Sequence, residues 1–238
     1  LEPLPGGEAS FGYNALLETS YAGAASWARG LGAGRGAFGA GLLYFSQSAI
    51  RGYDVLGNAG GDFTPSDMAL SLGYAKRIAK ASAGGALKIV RSELADASAS
   101  DFALDLGLQF YDAARLSEAP LDLGFSFRNL GPPLRLGAVS DPLPFEIQAG
   151  ALWRANPRLN WMLDAHAPVD GDPYVSLGAE SSYPVAGESR LFFRGGYNGR
   201  LGSKIDGLST VSAGFGVHIA SFKMDYAWVP AGDLGTTH

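Results

Sequence analysis

The sequence predicts an all-β protein: an antiparallel transmembrane β-barrel of about fourteen strands, about thirteen of them readable in 238 residues. Three observations predict it. Apolar residues recur at every second position through nearly the whole chain, the period at which a strand turns its side chains to alternate faces. The runs are about ten residues long, the length that crosses a bilayer's hydrocarbon core at a tilt, whereas soluble strands cluster at about five or six. Charged residues make up only 17% of the chain, against roughly a quarter in soluble domains, and 34 glycines are about twice the usual share of roughly 7%.

In chain order the predicted strands are 9–17, 21–29, 35–48, 66–78, 81–92, 99–112, 120–129, 144–155, 158–168, 174–183, 189–198, 208–220 and 221–230. The stretch DFALDLGLQFYD at 101–112 shows why: Phe102, Leu104, Leu106, Leu108 and Phe110 share one parity, and Asp101, Asp105 and Gln109 the other. The same apolar parity carries Met68, Leu70, Leu72 and Tyr74, then Leu121, Leu123, Phe125 and Phe127, then Phe145, Ile147 and Trp153. It continues through Leu159, Trp161 and Leu163, then Val211, Phe215 and Val217, then Phe222, Met224, Tyr226 and Trp228. Every charge in these strands is expected on the opposite face, among Gly, Ala and Ser. That composition suits a crowded or water-filled lumen better than a face in bulk water, which would be richer in Lys and Glu. The candidate lumen residues are Asp105, Asp122, Arg128, Glu146, Arg154, Asp164, His166, Arg190, Arg194 and Asp225. Crowded opposite charges of this kind are expected to pair with one another.

The connections alternate in length. Those after even-numbered strands are short, with ARLSEAP after the sixth of middle length, while odd-numbered strands run into long excursions at 50–65, 131–144 and 199–207. Bacterial outer-membrane barrels have this asymmetry of short periplasmic turns and long extracellular loops. Trp27, Trp153 and Trp161 fall at the short-turn rim and Trp228 at the opposite one, as an aromatic girdle would place them. An odd strand count leaves an edge unpaired in lipid, so a closing strand and an N-terminal segment before Leu1 are expected outside this sequence.

Several classes are set aside on composition. A net charge of −5 with no Lys/Arg-rich run offers no footprint for nucleic acid. The absence of cysteine removes disulfides and thiolate chemistry. The longest charge-free stretch of interest, GAFGAGLLYFSQSAI, is 15 residues, short of the roughly 20 a transmembrane helix needs. GRGAFG at 34–39 fits a dinucleotide pattern but leads into a strand-like GLLYF where a helix N-terminus would have to hold the pyrophosphate. Asp164 and His166 share a face, so the carboxylate could orient the imidazole as a base, but no partner motif accompanies them and a polar network is the plainer reading. The aspartates of 54–67 and 170–172 are read as turn chemistry, not as a Ca²⁺ site. No enzyme activity, cofactor or metal site is predicted.

GDFTPSDMALSLGYAKRI at 61–78, FRNLGPPLRLG at 127–137 with SDPLP at 140–144, GDPYVSLGAE at 171–180, FRGGYNGR at 193–200 and the block from Gly207 to His238 together resemble the PorV/PorQ family. These are outer-membrane barrels similar to the fatty-acid transporter FadL. The resemblance implies a fourteen-stranded barrel in a Gram-negative outer membrane. It implies a docking or shuttle role for secreted or surface proteins, as in type IX secretion, with Tyr53, Asp54, Asp62, Arg135, Asp141 and Lys204 as candidate loop contacts. The alternative is a FadL-like channel transporting a hydrophobic small molecule, and a soluble β-sandwich binding module is third. The family's N-terminal plug segment and final strand have no counterpart in these residues.

Overall fold

The computed structural model describes residues 7–16, 19–54, 56–201, 209–230, 232, 236 and 237. All thirteen expected strands are present: β1 (Gly7–Ala15), β2 (Ser20–Gly30), β3 (Ala37–Gln47), then, after an inserted hairpin of β4 (Ile50–Tyr53) and β5 (Ala59–Phe63), β6 (Ser66–Ile78). β7 (Ala81–Leu94), β8 (Ala97–Leu116) and β9 (Ala119–Leu130) follow, then a second inserted hairpin of β10 (Leu134–Leu136) and β11 (Val139–Asp141). The chain continues through β12 (Glu146–Asn156), β13 (Leu159–Pro168), β14 (Tyr174–Pro184), β15 (Arg190–Asn198), β16 (Val211–Ile219) and β17 (Phe222–Pro230). A two-residue β18 (Thr236–Thr237) pairs with Val229 and Pro230 at the edge of β17, in a segment expected to hold no strand. The described residues contain no α-helix.

Apart from the two inserted hairpins, the strands form one sheet in which sequence neighbours are spatial neighbours, β1-β2-β3-β6-β7-β8-β9-β12-β13-β14-β15-β16-β17-β18. This is the order of an up-and-down meander. Among the described residues no ladder joins β1 to β17 or β18.

Two expectations about connections need correction. The excursions at 50–65 and 131–144 contain the β4–β5 and β10–β11 hairpins; their runs of three to five residues are too short to show a period. The middle-length connection after β8 is instead a continuation of the strand to Leu116 and a tight turn on Ser117 and Glu118, both at positive φ (50° and 63°). A two-residue turn of that geometry normally announces itself with Asn or Gly, and neither is present. Ala79, Ala95 and Ala220 likewise sit at φ near 50° (53°, 52° and 50°) in tight turns without a glycine.

The chain divides into two compact units. In the first (Leu1–Ile78, Ala83–Leu106, Phe127–Phe145), the ladders set Tyr44 opposite Met68, Leu42 opposite Leu70, Ala40 opposite Leu72 and Phe38 opposite Tyr74. In the second (Ala79–Ser82, Gly107–Ser126, Glu146–His238), one row runs Leu163, Leu177, Tyr197, Val211 and another Phe193, Phe215, Tyr226. Facing residues of an antiparallel ladder share a face, so each unit carries a continuous apolar band.

Among the described residues nothing covers those bands. Leu72 and Phe102 are each 57% exposed, Phe193 54% and Met224 52%. Among the described residues the buried apolar side chains are Ala103, Leu143 and Pro230, while the largest fully buried ones are Asp122 and Ser46. This inverts the usual distribution, in which carboxylates are almost never buried and leucines usually are.

The expectation that every charge avoids the apolar face fails at four places. Arg29 follows Trp27 by two residues and Lys76 follows Tyr74 by two, so each lies on the apolar face, and Arg91 and Glu93 continue the parity of Leu87 and Ile89 on β7. All four stand near strand ends, where an apolar band gives way to its margin.

Gly131 packs against Phe102 and Ala103, where an added Cβ would press on the Phe102 carbonyl oxygen and lie 2.9 Å from Leu143 Cδ1. Gly131→Val should therefore cost about 2 kcal/mol, whereas Ala220→Gly, which removes a Cβ from a left-handed turn position (φ 50°), should raise stability by about 0.5–1 kcal/mol. Unfolding midpoints of the two variants in detergent, moving in opposite directions, check both.

Candidate functional site

The face opposite the apolar bands is held together by charge. In the first unit Lys88 Nζ lies 2.7 Å from Asp105 Oδ1 and also bonds the Asn129 side-chain oxygen. Asn129 sits at φ 58°, a conformation Asn tolerates better than most residues. Its backbone N–H donates to Asp105 Oδ1 at 2.8 Å and its side-chain amide to the Pro144 carbonyl at 2.8 Å. One carboxylate thus neutralises a lysine and satisfies an amide freed by the local break in the strand.

The second unit repeats the device. Asp122, 2% exposed, takes a bidentate guanidinium from Arg154 and accepts the backbone N–H of Asp112 at 2.8 Å. Asp112 has φ 49°, and its carboxylate faces Lys80 at 3.3 Å and Arg115 at 3.5 Å. A fork-to-carboxylate pair is the strongest geometry available to these groups, and it is what permits an aspartate to be fully buried.

Farther along the same unit, Gln148, His166 and Tyr174 lie directly opposite one another across β12, β13 and β14. His166 Nδ1 is 2.9 Å from Glu146 Oε1 and 3.2 Å from the Gln148 side-chain nitrogen. Gln148 donates to Glu146 Oε2 at 2.8 Å and accepts from Ser126 Oγ at 3.2 Å. Tyr174 stacks on the imidazole at 4.3 Å with planes 3° apart. The plainer reading of a polar network holds, and the Asp164–His166 pairing weighed against it is not formed: the carboxylate beside His166 is Glu146, and Asp164 points over Gly150. Residues two apart on a strand share a face but stand nearly 7 Å apart, so the cross-strand neighbour is the better placed.

A fourth cluster joins β14 to β17. Glu180 is directly opposite Arg194 and accepts its Nε–H at 2.8 Å, while Arg194 Nη1 bonds Asp225 and His218 Nε2 lies 3.4 Å from Asp225 Oδ2. The Arg194–Asp225 bridge crosses β16 over Gly216, whose missing Cβ would collide with both partners. Arg194 also lies 5.2 Å from the Phe192 ring centroid, within cation–π range.

Seven of the ten predicted polar residues fall in these four clusters; of the other three, Arg190 donates to Ser182 at 3.4 Å, Arg128 is exposed at the end of β9 and Asp164 points over Gly150. Sequence reading missed Lys88, Asn129, Gln148 and Tyr174. Lys88 and Gln148 have the right parity and could have been found, whereas Asn129 matters through its backbone conformation, which no pattern encodes. Among the described residues no group of three His, Cys, Asp or Glu could hold a metal ion.

The loop candidates lie in the hairpins. Tyr53 is 64% exposed, Asp62 pairs with Arg51 at 4.0 Å across β4–β5, and Arg135 and Asp141 lie on β10 and β11; Lys204 lies outside the described residues. Asp54 closes the β4–β5 hairpin, accepting the amide N–H of Leu56 (2.8 Å) and of Asn58 (2.9 Å) and the Asn58 side-chain N–H (2.9 Å). Of the tryptophans, Trp153 and Trp161 face each other in register, with the Trp153 indole donating to the Leu116 carbonyl at 3.0 Å. Trp27 packs edge-on to Phe38 at 5.3 Å, and Trp228 lies opposite Ala213. No family model and no curated protein matches the sequence.

Asp122→Ala should cost about 2–4 kcal/mol, because it strands the Arg154 charge and the Asp112 amide together, while Asp122→Asn, which keeps the amide's acceptor, should cost about half as much; denaturant unfolding of the two variants separates these contributions. The side-chain hydrogen bond from Asn58, with the backbone N–H bonds, holds the Asp54 carboxyl below its ordinary value. A depressed carboxyl stabilises the hairpin above its unfolded pKa and loses that effect as pH falls through the folded one. Amide exchange at Leu56 and Asn58 should accelerate, relative to the intrinsic rate, on acidification below about pH 4, and the Asp54→Ala variant should lack this step.

Proposed function

We propose that the chain is a non-enzymatic β-barrel of a bacterial outer membrane that serves as a docking barrel for partner or secreted proteins, as its resemblance to the PorV/PorQ family implies. The observation that carries the membrane part is the uncovered apolar band. Leucines and phenylalanines that lie half exposed along neighbouring strands would have to face water in a soluble protein at about 25 cal/mol per Å², but cost nothing against acyl chains. A meander of long antiparallel strands in sequence order is what an up-and-down barrel requires. Closure between β1 and the C-terminal edge is the step proposed, since an open edge cannot be left in hydrocarbon.

Docking is favoured over transport by the same networks. Lys88, Arg154 and Arg194 each spend their charge on carboxylates of their own sheet, which cross-links the polar face and leaves few charges there to guide a solute. The excursions after β3 and β9, by contrast, carry folded hairpins with exposed side chains, including Tyr53, Leu56 (82%) and Val139 (67%). A preformed hairpin loses little entropy when a partner binds it.

Expressed in a Gram-negative host, the chain should partition with the outer membrane, require detergent for extraction and migrate differently on gels before and after heating. Photo-crosslinkers at Tyr53 or Val139 should capture a partner protein, and one at Leu108 on the apolar band should capture none. Recovery in the soluble fraction would overturn the barrel. Membrane residence with no crosslinked protein, together with uptake of a hydrophobic solute, would replace docking by conduction.

A further inference from the structure

Arg29 and Lys76 are two of the four charges on an otherwise apolar face. Arg29 is directly opposite Phe38 on β3, and Phe38 is directly opposite Tyr74 on β6. The three share a face with Trp27, which precedes Arg29 by two residues on β2, and with Lys76, which follows Tyr74 by two on β6. The aromatic part is organised: Trp27 meets Phe38 edge-on at 82°, and the Tyr74 hydroxyl donates to the Arg35 carbonyl at 2.7 Å. Both cations are exposed, and among the described residues neither has an ion-pair partner. The other two charges of this face in the same unit behave differently, because Arg91 and Glu93 neutralise each other at 2.5 Å.

We propose that Arg29 and Lys76, with the Trp27–Phe38–Tyr74 shelf, bind the phosphate of an anionic glycerophospholipid. The proposal rests on the membrane reading above. A cation rooted at the margin of an acyl-chain band extends its stem along the apolar surface and delivers its head to the headgroup layer, where the neutralising group is a phosphodiester. Two strand spacings and a two-residue stagger set the two Cα atoms about 12 Å apart, a gap that two long side chains can close on one phosphate. Arg29 offers a planar fork for two phosphate oxygens and Lys76 a point charge for a third. The aromatic shelf supplies the interfacial surface on which the glycerol and upper acyl carbons rest. Arg29 and Lys76 adjoin the short β2–β3 and β6–β7 connections, the end that faces the periplasmic leaflet in bacterial barrels, so a glycerophospholipid phosphate is the one within reach.

The test uses the full chain, reconstituted in phosphatidylcholine containing an equal share of phosphatidylglycerol, with the lipid retained through purification quantified by mass spectrometry. The wild-type chain should retain phosphatidylglycerol preferentially. Each of Arg29→Gln and Lys76→Gln should lower that preference about fivefold, the double variant multiplying the two effects, whereas Arg91→Gln, which removes a charge already neutralised, should leave it unchanged. Equal retention of the two lipids by the wild-type chain, or an undiminished preference in the single variants, would overturn the proposal. Preference for lipid A over phosphatidylglycerol, or displacement of the lipid by millimolar inorganic phosphate, would overturn it as well. Insertion into pure phosphatidylcholine vesicles, read by protease protection, is measured beside it: a chain that does not insert refutes the barrel, and one that inserts without lipid preference refutes only the site.

Discussion

An apolar surface left bare by the described residues sets the terms for everything else in this structure. In a soluble sandwich, residues such as Leu70, Phe125 and Phe215 would meet counterparts from a second sheet; here they are 44%, 48% and 45% exposed. The hydrophobic effect then holds the fold together only weakly from within, because among the described residues very few apolar side chains are fully removed from the surroundings. Cohesion falls to the backbone ladders and to whatever the other face can supply.

What the other face supplies is paired charge. Asp105 and Asp122 each do two jobs, compensating a cation and accepting an amide that a left-handed residue has withdrawn from the ladder. Both breaks fall on the β8–β9 pair, and both are bridged by an aspartate from the neighbouring strand. Charged hydrogen bonds of this kind are shorter and stronger than neutral ones, and several in sequence pin the register of strands whose apolar alternation would tolerate a slip by two. The distribution of labour is the reverse of a soluble core, with polarity giving uniqueness on one face and grease giving only compatibility on the other.

Much of this was legible from residue order. Period and length were enough to find every long strand, because a pattern such as Phe102 to Phe110 has only one way to sort its side chains. The polar clusters were legible as a set, since parity alone put Glu180, Arg194 and Asp225 on one face, but not as pairs. Which carboxylate reaches His166 depends on the register between β12 and β13, a non-local quantity. The tight turns at Ala79 and Ala220 were legible as short joins but not in their left-handed geometry, the turn at Ser117 was read as a longer connection because it lacks the residues that favour that geometry, and the short hairpins escaped because runs of three to five residues show no period. The cations Arg29 and Lys76 were visible in the sequence as exceptions to parity but were absorbed by a rule stated too broadly.

The glycine at 216 has a wider meaning. A guanidinium on one strand can clasp a carboxylate two strands away only if the strand between presents no side chain, and Gly216 provides that opening for Arg194 and Asp225. Glycine on this face can thus be a matter of headroom: at Gly216 an added Cβ would meet Arg194 and Asp225, and at Gly150 the Asp164 carboxylate. Enlarging Gly216 would disturb not its own site but the bond between Arg194 and Asp225, so a substitution can be costly at a position that has no side chain of its own to interact.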